Sequence, residues 1–189
     1  MDNKHRKMFG MLLILCLILS TVSGCMGSPL VTGTWDGDTF TNQWTHITFE
    51  LPSGFEVLSR DRGPGWVDDF TIMNDDARVV IGLTYTDISH RDFDEYTAED
   101  YLGIIRESLL DSQSRDFTFA NDFELVTIAG REYVLMRGAY TYKDNPTEGA
   151  FHDIYAHRFV NTMMIFIAVY DEDARETVDA FLSSIGTIR

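Results

Sequence analysis

The chain has 189 residues, of which 30 are acidic and 15 are basic, so its net charge at pH 7 is −15. Phosphate binding needs clustered Lys and Arg, so this balance argues against a nucleic-acid partner and against docking of the folded part on an anionic membrane surface. A cationic partner or a divalent cation would suit the charge. Solubility and repulsion between neighbouring copies explain it without any ligand, and we favour that explanation.

Residues 1–24 have the pattern of an export signal. Three basic residues precede an uncharged apolar run at residues 8–19, and small polar residues follow as far as Gly24. A helix that spans a membrane needs about 20 apolar residues. The run is too short for that and fits the apolar region of a signal peptide. An N-terminal membrane anchor and a buried helix are the alternatives, and length, flanking charge and the small residues all disfavour them.

The run Val22-Ser23-Gly24-Cys25 resembles the lipobox of bacterial lipoproteins, with Val22 at the place usually held by Leu. The resemblance implies cleavage between Gly24 and Cys25 and a diacylglyceryl thioether, with acyl chains such as palmitate, on Cys25. Cys16 would be removed with the leader, so Cys25 would be the only cysteine left and no intramolecular disulfide could form. A buried structural cysteine is disfavoured because no core pattern surrounds this position.

Lipid alone can hold such a protein, because two acyl chains anchor stably where one binds only marginally. Removal of the leader leaves 165 residues and, with three basic residues and one acid lost, a net charge of −17. We expect Cys25 and residues 25–39 to form a lipidated, flexible tether and residues 40–189 to form one domain. The expected location is the extracytoplasmic face of the cell membrane.

Alternating apolar residues and turn signals divide the domain into strands, and two stripes with helical spacing predict helices. The predicted segments in the first half are a unit at 40–59 with a turn at 52–54, strands at 66–73 and 78–87, and a helix at 98–112 capped by Thr97 and Asp100. Four strands follow, at 124–128 and 131–142 joined by Ala129-Gly130, and, after a loop at 143–149, at 150–160 and 163–170 joined by Asn161-Thr162. The last predicted segment is a helix at 172–185, capped by Asp171 or Asp173 and stopped by Gly186. The last strand is apolar on both faces, so it should lie centrally and need cover on both sides. This predicts an α+β domain with an antiparallel sheet of about six to seven strands and helices packed on it.

Residues 40–55 (FTNQWTHITFELPSGF) resemble the opening motif of PsbP-like and DcrB-like domains, and residues 33–42 (GTWDGDTFTN) resemble a segment that precedes it in small lipoproteins of Gram-positive bacteria. The resemblance runs from about Gly33 to the C-terminus and implies a PsbP-like α/β/α sandwich. It carries no shared catalytic residues, and a fold alone cannot supply an activity.

No nucleophile elbow, zinc-protease, P-loop or dinucleotide motif is present in the sequence. His152 and His157 are five residues apart on one predicted strand and should point to opposite faces, so they do not form a metal pair. We expect them, with His46 and His90, to be surface or rim residues.

Asp36 and Asp38 resemble the start of a calcium loop, and residues 92–95 form an acidic cluster, but neither continues with the required ligands. We therefore predict no metal and no cofactor. Trp66, after a Gly-Pro-Gly loop, is a candidate binding residue, with core burial as its alternative.

These observations favour a membrane-anchored cell-envelope lipoprotein that acts as a binding or accessory module rather than as an enzyme, with another envelope protein as the candidate partner. Two alternatives stay open. One is an envelope hydrolase with a carboxylate pair, which would need a deep pocket with two perturbed carboxylates. The other is a carrier of a small ligand or ion, which would need an apolar pocket of several hundred Å³.

Overall fold

The computed structural model describes residues 32–58, 67–76, 78–88 and 95–188. The first half contains the strands β1 (Thr34–Asp36), β2 (Thr39–Asn42), β3 (Ile47–Glu50), β4 (Phe55–Val57), β5 (Val67–Asn74) and β6 (Val79–Asp87) and the helix α1 (Ala98–Leu110). The second half contains the strands β7 (Arg115–Phe119), β8 (Glu124–Ile128), β9 (Arg131–Met136), β10 (Gly138–Tyr142), β11 (Asn145–Phe159) and β12 (Thr162–Tyr170), a 3-10 turn (Glu172–Ala174), the helix α2 (Arg175–Ser184) and the strand β13 (Gly186–Thr187).

The main sheet is antiparallel and follows the order β4-β5-β6-β12-β11-β10-β7. The long strand β11 pairs with β10 near its start and with β9 further on, and β8 pairs with the outer side of β9. With β8 and β9 the sheet has nine strands in the described part of the chain. The predicted α+β class with an antiparallel sheet and helices packed on it is confirmed, but the sheet has nine strands where about six to seven were expected.

Two apolar clusters cover the two faces of this sheet. One cluster places Tyr101, Leu102, Ile105 and Leu109 of α1 against one face. The other places α2 and a second, smaller sheet against the opposite face. Every residue of β12 is buried, which confirms its predicted central position. Truncation of a buried Ile or Met of such a strand to Ala costs about 2–5 kcal/mol in the free energy of unfolding.

The smaller sheet has the order β1-β2-β3-β13 and corrects the predicted tether. Residues 34–39, assigned to the tether, form a hairpin that turns at Gly37, where φ is +57°. Trp35 gives the hairpin its packing, because its ring lies 5.2 Å from that of Phe40 and 5.5 Å from that of Phe49. The Gly- and Asp-rich composition therefore marks a tight turn here rather than a flexible linker.

The first helix begins as predicted, with a capping box between Thr97 and Asp100. It ends at Leu110, two residues early, and the Leu110 side chain is 54% exposed rather than on the buried stripe. The hairpin at Ala129-Gly130 is confirmed, with φ of +50° and +70° at its two turn residues.

The ends of the second helix differ from the prediction. Its buried stripe is confirmed, but Asp171 gives no side-chain cap to the 3-10 turn. Asp171 and Asp173 instead pair with Arg78. Gly186 does not adopt a left-handed cap; it pairs with Thr48 as the first residue of β13.

Four further segments differ from the prediction. Residues 131–142, predicted as one strand, form the two strands β9 and β10. Residues 145–149, predicted as loop, belong to β11, which pairs with β10 across a register shift at Thr141 and Tyr142. The β11–β12 turn contains Val160 and Asn161 rather than Asn161 and Thr162, because Phe159 pairs with Thr162. The strand β7 was not predicted at all.

Candidate functional site

Several predicted site residues lie outside the described residues. These are the cleavage position Gly24, the lipidation residue Cys25, the candidate binding residue Trp66, His90 and the acidic cluster as far as residue 94. Their roles therefore stay predictions.

The histidines are only partly where the sequence placed them. His152 is fully buried between the rings of Phe117 and Tyr140, so its assignment to the surface was wrong. His157 is half-buried on the opposite face, where its Nδ1 lies 2.8 Å from the carbonyl oxygen of Glu132, so the prediction of opposite faces is confirmed. Burial, reinforced by the positive charge of Arg115, lowers the pKa of His152 to about 3. A neutral imidazole in such a place packs like an aromatic ring.

A buried polar cluster, the Asp69 cluster, joins the opening motif to the main sheet. Asp69 is the extra residue of a β-bulge in β5 and is 9% exposed. One carboxylate oxygen accepts a hydrogen bond from the backbone N–H of Gly33. The other accepts from Asn42 Nδ2 at 2.7 Å and from the Tyr85 hydroxyl at 2.5 Å. The hydroxyl of Thr45 lies 3.4 Å from that of Tyr85 and completes the cluster.

Asn42 uses both ends of its amide. Its Oδ1 accepts from the backbone N–H groups of Trp44 at 2.9 Å and Thr45 at 3.0 Å, so it shapes the β2–β3 turn while its Nδ2 binds Asp69. A Cβ on Gly33 would collide with the ring of Phe40, which explains the glycine at that position. The residues that carry the sequence resemblance are thus residues that fasten the first hairpin to the sheet.

Desolvation dominates the titration of Asp69. Burial raises the pKa of its carboxyl above the usual value, and the hydrogen bonds from Gly33, Tyr85 and Asn42 offset only part of that rise. These three donors are neutral groups. A reactive acid would need access to a substrate, and these donors occupy its oxygens.

A second buried carboxylate, the Asp153 cluster, lies at the start of α2. Asp153 is 1% exposed, and its Oδ2 accepts from the Tyr170 hydroxyl at 2.9 Å and from Arg137 Nη1 at 2.9 Å. Arg175 approaches the same oxygen at 3.9 Å, and Arg137 also binds Glu124 at 2.8 Å. Burial raises the pKa of Asp153, while Tyr170 and the two arginines oppose the rise.

The two carboxylates belong to separate networks with no shared partner. Within residues 32–58, 67–76, 78–88 and 95–188 no group of three or more His, Cys, Asp or Glu side chains could hold a metal ion. Asp36 and Asp38 are exposed residues on either side of the β1–β2 turn. The geometry thus assigns both buried carboxylates to the support of the fold.

An open groove of about 510 Å³ lies between α2 and the connection from β3 to β4. Its lining residues are Glu50, Leu51, Pro52, Ser53, Phe55, Glu176, Thr177, Ala180, Phe181 and Ser184. The floor is apolar, and the two glutamates are its charged groups. No sequence signal identified it, because its two walls are about 125 residues apart along the chain.

The β3–β4 wall of the groove is held on both sides. The backbone N–H of Leu51 binds the carbonyl oxygen of Asp38 at 2.7 Å, and that of Asp75 binds the carbonyl oxygen of Gly54 at 2.8 Å. Gly54 has φ of +80°, a conformation that favours glycine, so the turn is fixed by its own sequence. The groove is therefore preformed.

Comparisons with known proteins identify the fold. No protein-family model and no curated protein matches this chain. The solution structure of cyanobacterial PsbP (CyanoP) from Synechocystis sp. PCC 6803 matches with a TM-score of 0.55 and 17% identity, over 88% of this chain and 99% of that one. The crystal structure of LpqN, involved in cell envelope biogenesis of Mycobacterium tuberculosis, matches with a TM-score of 0.47 and 12% identity, over 76% and 83%. The domain thus has a PsbP-like fold.

None of the helices in the described part of the chain is both long and apolar enough to cross a membrane.

Proposed function

We propose that this chain is a lipid-anchored cell-envelope protein whose PsbP-like domain is a binding or accessory module without catalytic activity. The anchoring half of the proposal rests on the sequence: a basic start, a short apolar run and small residues that end at Cys25. Acyl chains on Cys25 would hold the acidic domain at the outer face of the membrane, with no protein segment in the bilayer.

The groove between α2 and the β3–β4 connection carries the binding half of the proposal. It is a preformed apolar surface on a rigid domain, which is what a recognition site requires. The lining contains no histidine, cysteine or lysine among the described residues, and its two glutamates lie on opposite walls. Asp69 and Asp153, whose pKa values are raised by burial, lie outside the lining and are held by structural donors. A hydrolase with this carboxylate pair is therefore disfavoured.

A carrier of a small apolar ligand is the second candidate, and the volume of the groove favours it. About 510 Å³ falls within the range of roughly 300–1,000 Å³ that is typical of small-molecule sites. The open side counts against it, because such sites usually bury about 70–90% of the ligand surface. An open groove suits a segment of a larger partner better.

Anchoring is tested by the variant Cys25→Ala, expressed as the full chain in its own host. We expect this protein to incorporate no labelled fatty acid and to leave the membrane fraction. Cys16→Ala is the matched control, because Cys16 lies in the part of the leader that would be discarded; it should be labelled like the natural protein. Labelled Cys25→Ala protein that stays with membranes would contradict the proposal.

The choice between module and carrier is tested by native mass spectrometry of the mature protein released gently from membranes, together with crosslinking in cells. We expect crosslinks that join peptides of the groove wall to one recurrent envelope protein. A stoichiometric small molecule that copurifies, and that Phe55→Ala releases, would support the carrier instead and overturn the module.

A further inference from the structure

We infer that the groove between α2 and the β3–β4 connection binds a cationic amphipathic segment of a partner protein. Apolar side chains of the segment occupy the floor, and Lys or Arg side chains lie beside Glu50 and Glu176. This inference rests on the proposed binding function and names the chemistry of the partner.

The floor of the groove is rigid. Phe181 lies at its base, and its ring packs edge-on against Phe49 at 5.0 Å, within the core between the two sheets. Leu51 and Phe55 are half-buried against the same core and form the adjoining wall. Ala180 is exposed and small, so it leaves space above Phe181 on the helix side. Side chains that enter the groove meet a surface that does not have to rearrange, which lowers the entropic cost of binding.

The rim of the groove is acidic on both walls. Glu50 ends β3, and its Oε1 accepts a hydrogen bond from the Thr39 hydroxyl at 2.7 Å, which orients the carboxylate. Glu176 lies on the facing wall, in the first turn of α2. The one cation of α2, Arg175, is directed elsewhere, since it lies over the rings of Phe151 and Tyr170 and near Asp153. Among the residues that the structure describes, no positively charged side chain lines the groove.

Charge complementarity selects the occupant. A fatty acyl chain would use the floor and gain nothing from two flanking carboxylates, and an anionic lipid or an acidic peptide would be repelled by them. A segment with alternating apolar and basic residues satisfies both the floor and the rim. The net negative charge of the chain adds long-range attraction for such a segment and accelerates its association.

The test measures the fluorescence anisotropy of two labelled twelve-residue peptides, one of Leu and Lys and one of Leu and Glu. The protein is the mature lipoprotein in phosphatidylcholine nanodiscs, with empty nanodiscs as the blank. A chain that carries no lipid is titrated in solution instead, so a failure of anchoring is seen separately from a failure of the groove. We expect the Leu/Lys peptide to bind and the Leu/Glu peptide not to bind.

Two pairs of variants locate the binding. Glu50→Gln with Glu176→Gln should weaken the Leu/Lys peptide roughly three- to tenfold, as expected for two partly exposed ion pairs. Glu107→Gln with Asp122→Asn removes the same charge from exposed positions elsewhere and should change the affinity less than twofold.

Ala180→Arg fills the groove with a cation and should weaken binding more than tenfold. Ser183→Arg, an exposed position of the same helix outside the lining, should behave like the general charge control.

Four results would overturn the inference. Equal weakening by both pairs of charge variants would mean that the acidic surface attracts the peptide without a site. Unchanged binding by Ala180→Arg would place the peptide elsewhere. Displacement of the peptide by laurate, or a concentration-dependent dimer of the protein that Ala180→Arg dissociates, would assign the groove to an acyl chain or to a second copy of the chain.

Discussion

The Asp69 and Asp153 clusters solve the same physical problem in different ways. Each buries a carboxylate in the layer between the main sheet and the elements that cover it. Among the described residues the donors to Asp69 are neutral groups, whereas two arginines approach Asp153. In both clusters burial is the largest influence and raises the pKa of the carboxyl. Neither a cation nor a set of neutral donors fully compensates for lost hydration.

The difference shows what each cluster is for. Two of the donors to Asp69, Gly33 and Asn42, belong to residues 33–42, so the carboxylate attaches the first hairpin to β5 of the main sheet. The partners of Asp153 lie on β9–β10, β12 and α2, so its charge organises the place where α2 begins. Four substitutions, taken in order of expected effect at pH 7, test this distinction.

Asn42→Ala should have the largest effect, a loss of about 3–4 kcal/mol in the free energy of unfolding. It removes the acceptor of two backbone N–H groups and one donor to Asp69, and unmade buried hydrogen bonds cost about 1–3 kcal/mol each. Urea unfolding monitored by tryptophan fluorescence measures the change. Gln43→Ala, at the exposed neighbouring position, should cost less than about 0.5 kcal/mol. Equal stability of the two variants would show that the cluster does not hold the first hairpin.

Arg137→Met should cost about 2–3 kcal/mol, because it leaves Asp153 buried with one strong partner fewer. The estimate lies below that for a fully buried pair, since Arg137 is partly exposed and Tyr170 and Arg175 remain. Glu124→Gln breaks only the more exposed pair of Arg137 and should cost less than about 1 kcal/mol. Adding Asp153→Asn to Arg137→Met should recover part of the loss. No recovery in the double variant would mean that Arg137 acts through packing and not through the charge of Asp153.

The sequence predicts those parts of the structure that local rules determine. The turn at Ala129-Gly130, the capping box of Thr97 and Asp100 and the stripe of α2 each follow from residues a few positions apart. The burial of β12 on both faces follows from its unbroken apolar run. In each case the neighbouring residues alone specify the conformation.

The sequence does not predict features that arise only when distant segments meet. The donors of Asp69 lie 16 to 36 residues away, and the groove needs α2 beside the β3–β4 turn. Val160 has φ of +55°, a conformation that β-branched residues rarely adopt. It adopts this conformation because the register of β11 with β12 places it in the turn between the two strands. The strand β7 is a different kind of miss: Phe117 and Phe119 alternate with polar residues and could have indicated it.

His152 is a buried titratable group without the donors and acceptors that hold Asp69 and Asp153, since its two ring nitrogens have no hydrogen-bond partner in the described structure. The variant His152→Leu therefore tests burial without compensation. The folded pKa of His152, about 3, is below the unfolded value of 6.5, so the unfolded chain binds an extra proton between these values. Stability from neutral His152 is therefore lost as pH falls from about 6.5 to about 3, by at most ~1.4 kcal/mol per pH unit.

We expect His152→Leu to gain about 1 kcal/mol at pH 7, since the buried polar ring is removed, and to gain more at pH 4.5. Asp69 and Asp153 have the opposite effect on the pH dependence of stability, because burial raises their folded pKa values. Their contribution to stability is fully present below the unfolded pKa of 3.8 and is lost as pH rises through the folded values. Urea unfolding at several pH values measures the pH dependence of the free energy of unfolding for the natural protein and for His152→Leu. The same difference between variant and natural protein at pH 7 and pH 4.5 would show that His152 takes up a proton in the folded state.

Arg78→Gln should have the smallest effect on the free energy of unfolding. Arg78 forms exposed ion pairs, whereas Arg137 pairs with the buried Asp153. Arg78 binds Asp171 at 3.1 Å and also pairs with Asp173, but about 41% of the Arg78 side chain is exposed, and the side chains of Asp171 and Asp173 are 38% and 67% exposed. Such pairs contribute about 0.2–1 kcal/mol and are screened by salt. The cost of Arg78→Gln should thus be below about 1 kcal/mol in dilute buffer and vanish near 0.5 M NaCl, where the Debye length is only a few Å.

The cost of Arg137→Met should persist at that salt concentration, because water and ions do not reach Asp153. If both costs fell in parallel with added salt, burial would not be what distinguishes the Asp153 cluster from an ordinary surface ion pair.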